Sequence, residues 1–253
     1  MIWVSALLGA IMGSFFNMLI HRLPRGLSII KPRSMCPACG HRLTWTENIP
    51  VVSYLLLKGR CKNCGKRIPF RYLVVEIITS AAYAYAYWRS GLSPLYLVDL
   101  IFFSLLILIA FTDLETYLIP DVYSIGGIFA GLALSGPNPL VSWKGAVVGV
   151  ILGGSIFAGI AYAYARIRKQ EGLGGGDIKL LAMIGAFTGC KGVIITIFIS
   201  AVTGLLAGSI AIWKSKKGLQ TMIPYGPFLA TGGFIAYIWG NRIMDWYIRS
   251  LST

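Results

Sequence analysis

Four of the five cysteines stand in two matched pairs, Cys36-Pro37-Ala38-Cys39-Gly40 and Cys61-Lys62-Asn63-Cys64-Gly65, with 21 residues between the pairs. Each C-x2-C turn can present two thiolates to one ion, and two such turns complete the tetrahedral sulfur shell of a structural zinc. Disulfides are the first competing reading, and a reducing compartment disfavours them. A redox C-x-x-C is the second, and it needs only one copy. The spacing predicts one structural zinc on Cys36, Cys39, Cys61 and Cys64. The segment of about 50 residues that carries them is rich in proline and charge and has too little core to fold alone, so the metal is expected to hold it. The fifth cysteine, Cys190, lies in an apolar stretch and is expected to be packed.

Carboxylates are scarce, at nine in the whole chain. Glu47, Glu115, Glu171 and Asp245 fall outside the apolar runs, where water can reach them. Glu76 and Asp99 fall inside such runs, where an ionised acid costs about 2.5 to 3.5 kcal/mol or more and needs a partner or a watery cavity. Asp121 follows Pro120 and has a ready explanation as a helix cap. Asp177 follows Gly174-Gly175-Gly176, and its position alone leaves a cap and a catalytic role equally open. Asp113 and Asp177 stand apart because they come from different apolar runs yet share one membrane face. Two carboxylates that meet can share a proton. One stays ionised and activates a water, while the other donates to a scissile carbonyl. The glycine run would let an extended substrate backbone come close.

The elements that must position these groups are membrane helices. Hydrophobic residues make up 56% of the 253 and charged residues 13%, where an ordinary soluble domain has about 45 to 50% and about 25%. With a mean hydropathy of +0.72, this excludes a disordered, collagenous or disulfide-stapled chain. Eight apolar runs approach the roughly 20 residues that cross a bilayer. They lie near 2–20, 73–88, 94–111, 122–136, 144–165, 178–190, 192–213 and 223–240. Only Cys190 and Lys191 separate the sixth from the seventh, so these two can also form one broken or re-entrant helix. The first run has no basic segment before it, carries Asn17 and lacks a cleavage site, so it reads as a retained helix rather than a secretory signal. The expected architecture is an all-α polytopic membrane protein of about eight transmembrane helices. A first helix (1–20) leads into a small cytoplasmic zinc-binding insert (21–72), followed by a helical core (73–253). The 30 glycines are read as packing residues, and no internal repeat is apparent.

The net charge is +14, from 23 Lys and Arg against nine acids. In a soluble protein that excess suggests nucleic acid; in a membrane protein it reports loop orientation. Residues 21–72 carry 11 of the 23. Alternating eight spans puts Arg166, Arg168, Lys169, Lys179, Lys214, Lys216 and Lys217 on the same side, leaving Arg89, Lys144, Lys191, Arg242 and Arg249 opposite. By the positive-inside rule the basic side is cytoplasmic and the N-terminus is outside. No nucleic-acid partner is expected.

Taken in order along the chain, these residues resemble the bacterial type IV prepilin peptidases, a bifunctional class of intramembrane aspartyl protease. The matching stretches are Gly13-Ser14-Phe15-Phe16-Asn17 with His21-Arg22-Leu23-Pro24, the two cysteine pairs, Glu47-Asn48-Ile49-Pro50, Gly59-Arg60, Arg71-Tyr72 with Glu76, Asp113 with Ile119-Pro120-Asp121, and Gly174-x-Gly176-Asp177-x-Lys179. They spread over about two thirds of the chain. One local departure is Leu73, where the family often has a proline after the tyrosine.

The resemblance implies a protein of the bacterial inner membrane with its active site, Asp113 and Asp177, near the cytoplasmic face. It implies cleavage of the short basic leader of type IV prepilins or pseudopilins just before the mature N-terminal residue, commonly Phe. Methylation of the new amine by S-adenosylmethionine would follow, since zinc-bearing members are the bifunctional ones. Glu47 and Glu76 flank the insert and are candidates for taking the amine's proton or holding the donor's ribose or amine. Gly59 and Arg60 are candidates for close approach to the donor, with a plain turn before Cys61 as the alternative. No glycine-rich strand-to-helix turn of the usual methyltransferase kind is present. Two rival readings remain. One is a transporter that uses Asp99, Asp113 and Asp177 as a proton or cation relay. The other is a membrane-tethered zinc-ribbon binding module.

Overall fold

The computed structural model describes every residue except 32, 33, 37, 170–173, 215–222, 252 and 253. Arg33, Glu171, Lys216 and Lys217 therefore lie outside the described residues. Among those described there are eight α-helices and no strand. The chain divides into two compact units, Met1–Phe111 and Thr112–Thr253.

The first unit holds α1 (Ile2–Arg22), the short α2 (Val52–Leu56), α3 (Arg71–Ser90) and most of α4 (Pro94–Thr116). Helices α1 and α3 meet backbone to backbone: a Cβ on Gly13 would stand 2.7 Å from the Cα of Glu76, and one on Gly9 2.6 Å from the carbonyl oxygen of Thr79. Lipid gives apolar helices no reason to associate, so close backbone contact and hydrogen bonds must supply the attraction. Ser5 Oγ donates to Tyr83 O at 2.7 Å, Ser80 Oγ to Ala6 O at 2.8 Å and Asn17 Nδ2 to Tyr72 O at 2.9 Å. Asp99 is fully buried in α4, and its required partner is Arg89 at the end of α3, whose Nη1 lies 2.7 Å from Oδ1. Ser90 Oγ adds a bond to Oδ2 at 3.2 Å.

The second unit contains the last turn of α4, α5 (Asp121–Ala133), α6 (Trp143–Arg168), α7 (Gly175–Lys214) and α8 (Gly226–Leu251). Helix α7 is its hub, with α5, α6 and α8 all packed on it. Its residues Leu180, Leu181, Met183, Ile184 and Phe187 are fully buried. On α6, Gly153 faces the backbone of Leu181, where a Cβ would stand 2.6 Å from the carbonyl oxygen. The expected interruption of the sixth and seventh runs is present one residue early. Gly189 has φ +66° and ψ −170° inside the 40 residues of α7, a conformation that side chains other than glycine avoid.

Among the described residues, four helical stretches are long and apolar enough to cross a membrane: Ile2–Arg25, Pro94–Thr116, Trp143–Arg168 and Gly175–Ala211. Helices α3 and α8, with 20 and 26 residues, have the length but interleave Tyr, Ser, Thr and charged residues with the apolar ones. Helix α5 has 13 residues, fewer than a straight crossing needs.

Candidate active site and metal centre

The two cysteine turns are closed by the same backbone hydrogen bonds. Cys36 N–H donates to His41 O and Gly40 N–H to Cys36 O, each at 2.9 Å; Cys61 N–H donates to Lys66 O and Gly65 N–H to Cys61 O, again at 2.9 Å. Gly40 and Gly65 share φ +68°, and an isolated β-bridge closes each turn, Met35 with Arg42 and Arg60 with Arg67. The repeated C-x2-C-G of the sequence is thus a repeat of backbone hydrogen bonds as well, confined to these two turns.

The four Sγ atoms lie within 4.8 Å of one another. Cys36 and Cys64 are 3.9 Å apart, Cys39 and Cys61 4.0 Å. A tetrahedron with zinc–sulfur bonds of about 2.3 Å sets its sulfurs about 3.8 Å apart, so four unbridged thiols fit the metal by spacing and by donor softness. The backbone N–H of His41, then the side chain of Asn63, lower the Cys39 thiol to about 7, toward the thiolate that binds metal.

The other candidates of the insert have structural partners. Glu47 has a side chain only 5% exposed. Its Oε2 accepts from Thr44 N and Thr44 Oγ1, both at 2.8 Å, and meets His41 Nε2 at 3.2 Å. The Thr44 N–H foremost, then its hydroxyl and His41, hold this carboxyl down at about 2. Gly59 has φ +65°, and a Cβ there would stand 2.9 Å from the Tyr54 ring. Arg60 is exposed.

Glu76, 8% exposed on α3, accepts the N–H of Val51 at 2.6 Å. Val51 has φ +63° and ψ −52°, and Val52 N–H donates across it to Pro50 O at 2.6 Å. This is a γ-turn of the rare positive-φ kind, and a β-branched residue there is strained. The carboxylate of Glu76 holds that turn.

In the second unit, Asp113 sits in the last turn of α4, 5% exposed, and its Oδ2 accepts the N–H of Gly226 at 2.8 Å. Asp177 is half-buried in the first turn of α7 and interacts electrostatically with Asp113 and with the phenol of Tyr225. The two acids singled out from sequence are thus brought close enough for their charges to interact. Asp121 is the first residue of α5 rather than its cap, a place Pro120 takes. Its exposed carboxylate pairs with Lys179 Nζ at 2.6 Å, tying the start of α5 to the start of α7. Of the glycine run, Gly176 makes room for Ile119, whose Cβ would lie 2.9 Å from an added Cβ; Gly174 and Gly175 are exposed. Asp99, locked by Arg89, cannot serve a relay without first breaking a buried ion pair. Sequence reasoning missed Gly226. Its signal was Pro224-Tyr225-Gly226-Pro227, a glycine framed by prolines at the start of the last apolar run.

Residues 7–90 match the model of the bacterial peptidase A24 N-terminal domain, and residues 100–209 that of the type IV leader peptidase family. A prepilin leader peptidase/N-methyltransferase of Bacillus subtilis (strain 168) is 37% identical over 98% of both chains. Proteins of the same name from Pseudomonas aeruginosa and Xanthomonas campestris pv. campestris are 33% and 32% identical over 97% of this chain and 92% and 93% of theirs. No solved structure matches. Near-complete alignment to such relatives, together with a pair of acids at helix ends and a four-cysteine cluster, places the chain in the type IV leader peptidase family.

Proposed function

We propose that this protein cleaves the leader of type IV prepilins or pseudopilins with Asp113 and Asp177, then N-methylates the new terminus using S-adenosylmethionine. The observation that supports this reading most is the electrostatic interaction between the two acids, which come from separate helices of a chain whose relatives are named for this double activity. With one proton between them, the ionised carboxylate takes a proton from a water as its oxygen bonds to the scissile carbonyl carbon. The protonated partner gives its proton to the carbonyl oxygen. On collapse the C–N bond breaks, the leaving amine takes the proton from the first carboxyl, and a hydroxyl of the diol returns one to the second.

Cys36, Cys39, Cys61 and Cys64 would hold a zinc whose role is structural. S-adenosylmethionine would supply the sulfonium methyl. The new amine must be neutral to accept it, and a reference pKa near 7.7 to 8.0 lets a carboxylate take its proton at modest cost. Glu76 suits this task better than Glu47, whose Oε2 already serves three donors inside the insert. Gly59 and Arg60 are the remaining candidates around the donor. The chain would span the bacterial inner membrane about eight times, with the N-terminus outside and residues 21–72 in the cytoplasm, as the distribution of Lys and Arg supports.

Purified protein, prepilin and a methyl-labelled donor in detergent test the reading: a cleaved and labelled pilin is expected. No cleavage overturns it, and complete cleavage without label removes the methyltransferase. Labelling of a cysteine introduced at Ser28 by an impermeant reagent on intact cells would overturn the orientation.

A further inference from the structure

The start of α8 is aimed at one member of the acidic pair. The first N–H groups of a helix have no partner within it, and that of Gly226 finds Asp113 Oδ2 at 2.8 Å in a buried setting. Asp113 lies in the last turn of α4 and meets the start of α8, while Asp177 lies in the first turn of α7 and takes a backbone hydrogen bond from Gly174. An N–H donated to a carboxylate stabilises its ionised form. Asp177 in addition interacts electrostatically with Asp113 and with the Tyr225 phenol.

The residue type at 226 follows from space. An added Cβ would stand 2.7 Å from Asp113 Oδ2 and 3.1 Å from its Cβ and Cγ, so any other residue would push the carboxylate off the N–H. The residues on either side hold the donor's direction. Pro224 and Pro227 have no N–H of their own and fixed φ. The Tyr225 hydroxyl meets Ser200 Oγ of α7 at 2.9 Å. Its ring lies 6.3 Å from those of Phe157 on α6 and Phe228 on α8, and it fills the space beside Gly204.

We propose that Gly226 is a positioning residue whose N–H holds the Asp113 carboxylate by Oδ2 in the orientation the acidic pair needs. Oδ2 is tied to the backbone, so Oδ1 is the oxygen left for the reaction. This rests on the reading of Asp113 and Asp177 as the proteolytic pair.

The test replaces Gly226 by glycolic acid through nonsense suppression in the full chain, which turns the N–H into an ester oxygen without adding an atom to the side chain. Gly226→Ala is the second variant. In the ester protein kcat for prepilin cleavage is expected to fall about 100-fold, as when one preorganised donor is removed, with KM changed less than about twofold. The pH–rate profile is expected to move by about half a unit or more. The other groups facing the site, Asp177, Tyr225 and the Asp121–Lys179 pair, are unaltered, so the movement reports on Asp113. Methylation of pre-cleaved pilin should persist, as the check on folding. Wild-type kcat in the ester protein overturns the inference, and so does a lower kcat with an unmoved profile, since that reports a structural role alone. Substantial cleavage by Asp113→Asn would instead overturn the underlying pair. An inactive Asp113→Asn beside a fully active ester protein sinks only the role of Gly226.

Discussion

The cysteine cluster and the acidic pair each gather groups that would repel one another if charged, and they do so by opposite means. Each cysteine turn is closed by backbone bonds a few residues apart, and only the meeting of the two turns, 22 to 28 positions apart, is non-local. Asp113 takes its hydrogen bond from a residue 113 positions away, delivered by a helix that must first pack on α7. A site closed by local turns should depend on its metal and tolerate shifts of helices. A site closed by helix packing should ignore the metal and fail on the change of a few atoms.

The sharpest break of this contrast comes from Asp113→Asn or Asp177→Asn. Either should lower prepilin cleavage by roughly 1000-fold, leaving zinc content and the methylation of pre-cleaved pilin intact. Cleavage above about a tenth of wild type in either protein would dissolve the pair. Next in size is Cys39→Ser, or exhaustive chelation. Bound zinc should drop from about one equivalent to less than half, and limited proteolysis should then cut within residues 21–72. Cleavage by Asp113 and Asp177 should fall less than the insert's resistance to proteolysis does.

Arg89→Met asks whether a buried polar pair also locks the first unit, over a separation of ten positions. It leaves Asp99 buried without its ion-pair partner and should cost about 3 kcal/mol in detergent unfolding, while adding Asp99→Leu recovers most of the loss. A single variant as stable as wild type would show the pair to be incidental. The smallest effect is Glu47→Gln. The Glu47 carboxyl is held at about 2, below its ordinary 4.5, so its contribution is present above pH 4.5 and is lost as pH falls toward 2. The melting difference between wild type and the variant, of about 2 °C, should therefore shrink over that interval. Thiolate protonation acts on both proteins and cancels in the difference; a gap that stays constant to pH 2 would refute the assignment.

The same contrast governs what the sequence disclosed. The cysteines were readable because their spacing is itself the geometry, and the acids because nine carboxylates in so apolar a chain each need a reason. Asp99 announced its need of a partner, and Arg89, ten positions away, met it across a short turn. Glu76 announced the same need, but its donor is a backbone N–H exposed by a positive-φ turn at Val51, which no preference of valine foretells. Gly226 was hidden for a related reason, since a backbone donor has no residue type. Apolar runs also mark helix ends poorly. Helix α4 runs to Thr116 past the end of its run at 111, so that Asp113 lies within it, and α8 continues through Arg242, Asp245 and Arg249 because a helix does not need apolar residues to propagate.

The position of Gly226 also orders events in time. A ribosome delivers the four cysteines first, then Asp113, then Asp177, and the N–H that settles Asp113 only 49 residues after that. On the function proposed above, the nascent chain would acquire a metal long before it acquired proteolytic competence. On the same reading, while α8 is still being made the two acids would be present with Asp113 not yet held, and the unfinished molecule would bind metal without cutting. Quality control inherits a simple consequence: products truncated ahead of the last helix would keep zinc, stay anchored and leave prepilins uncut.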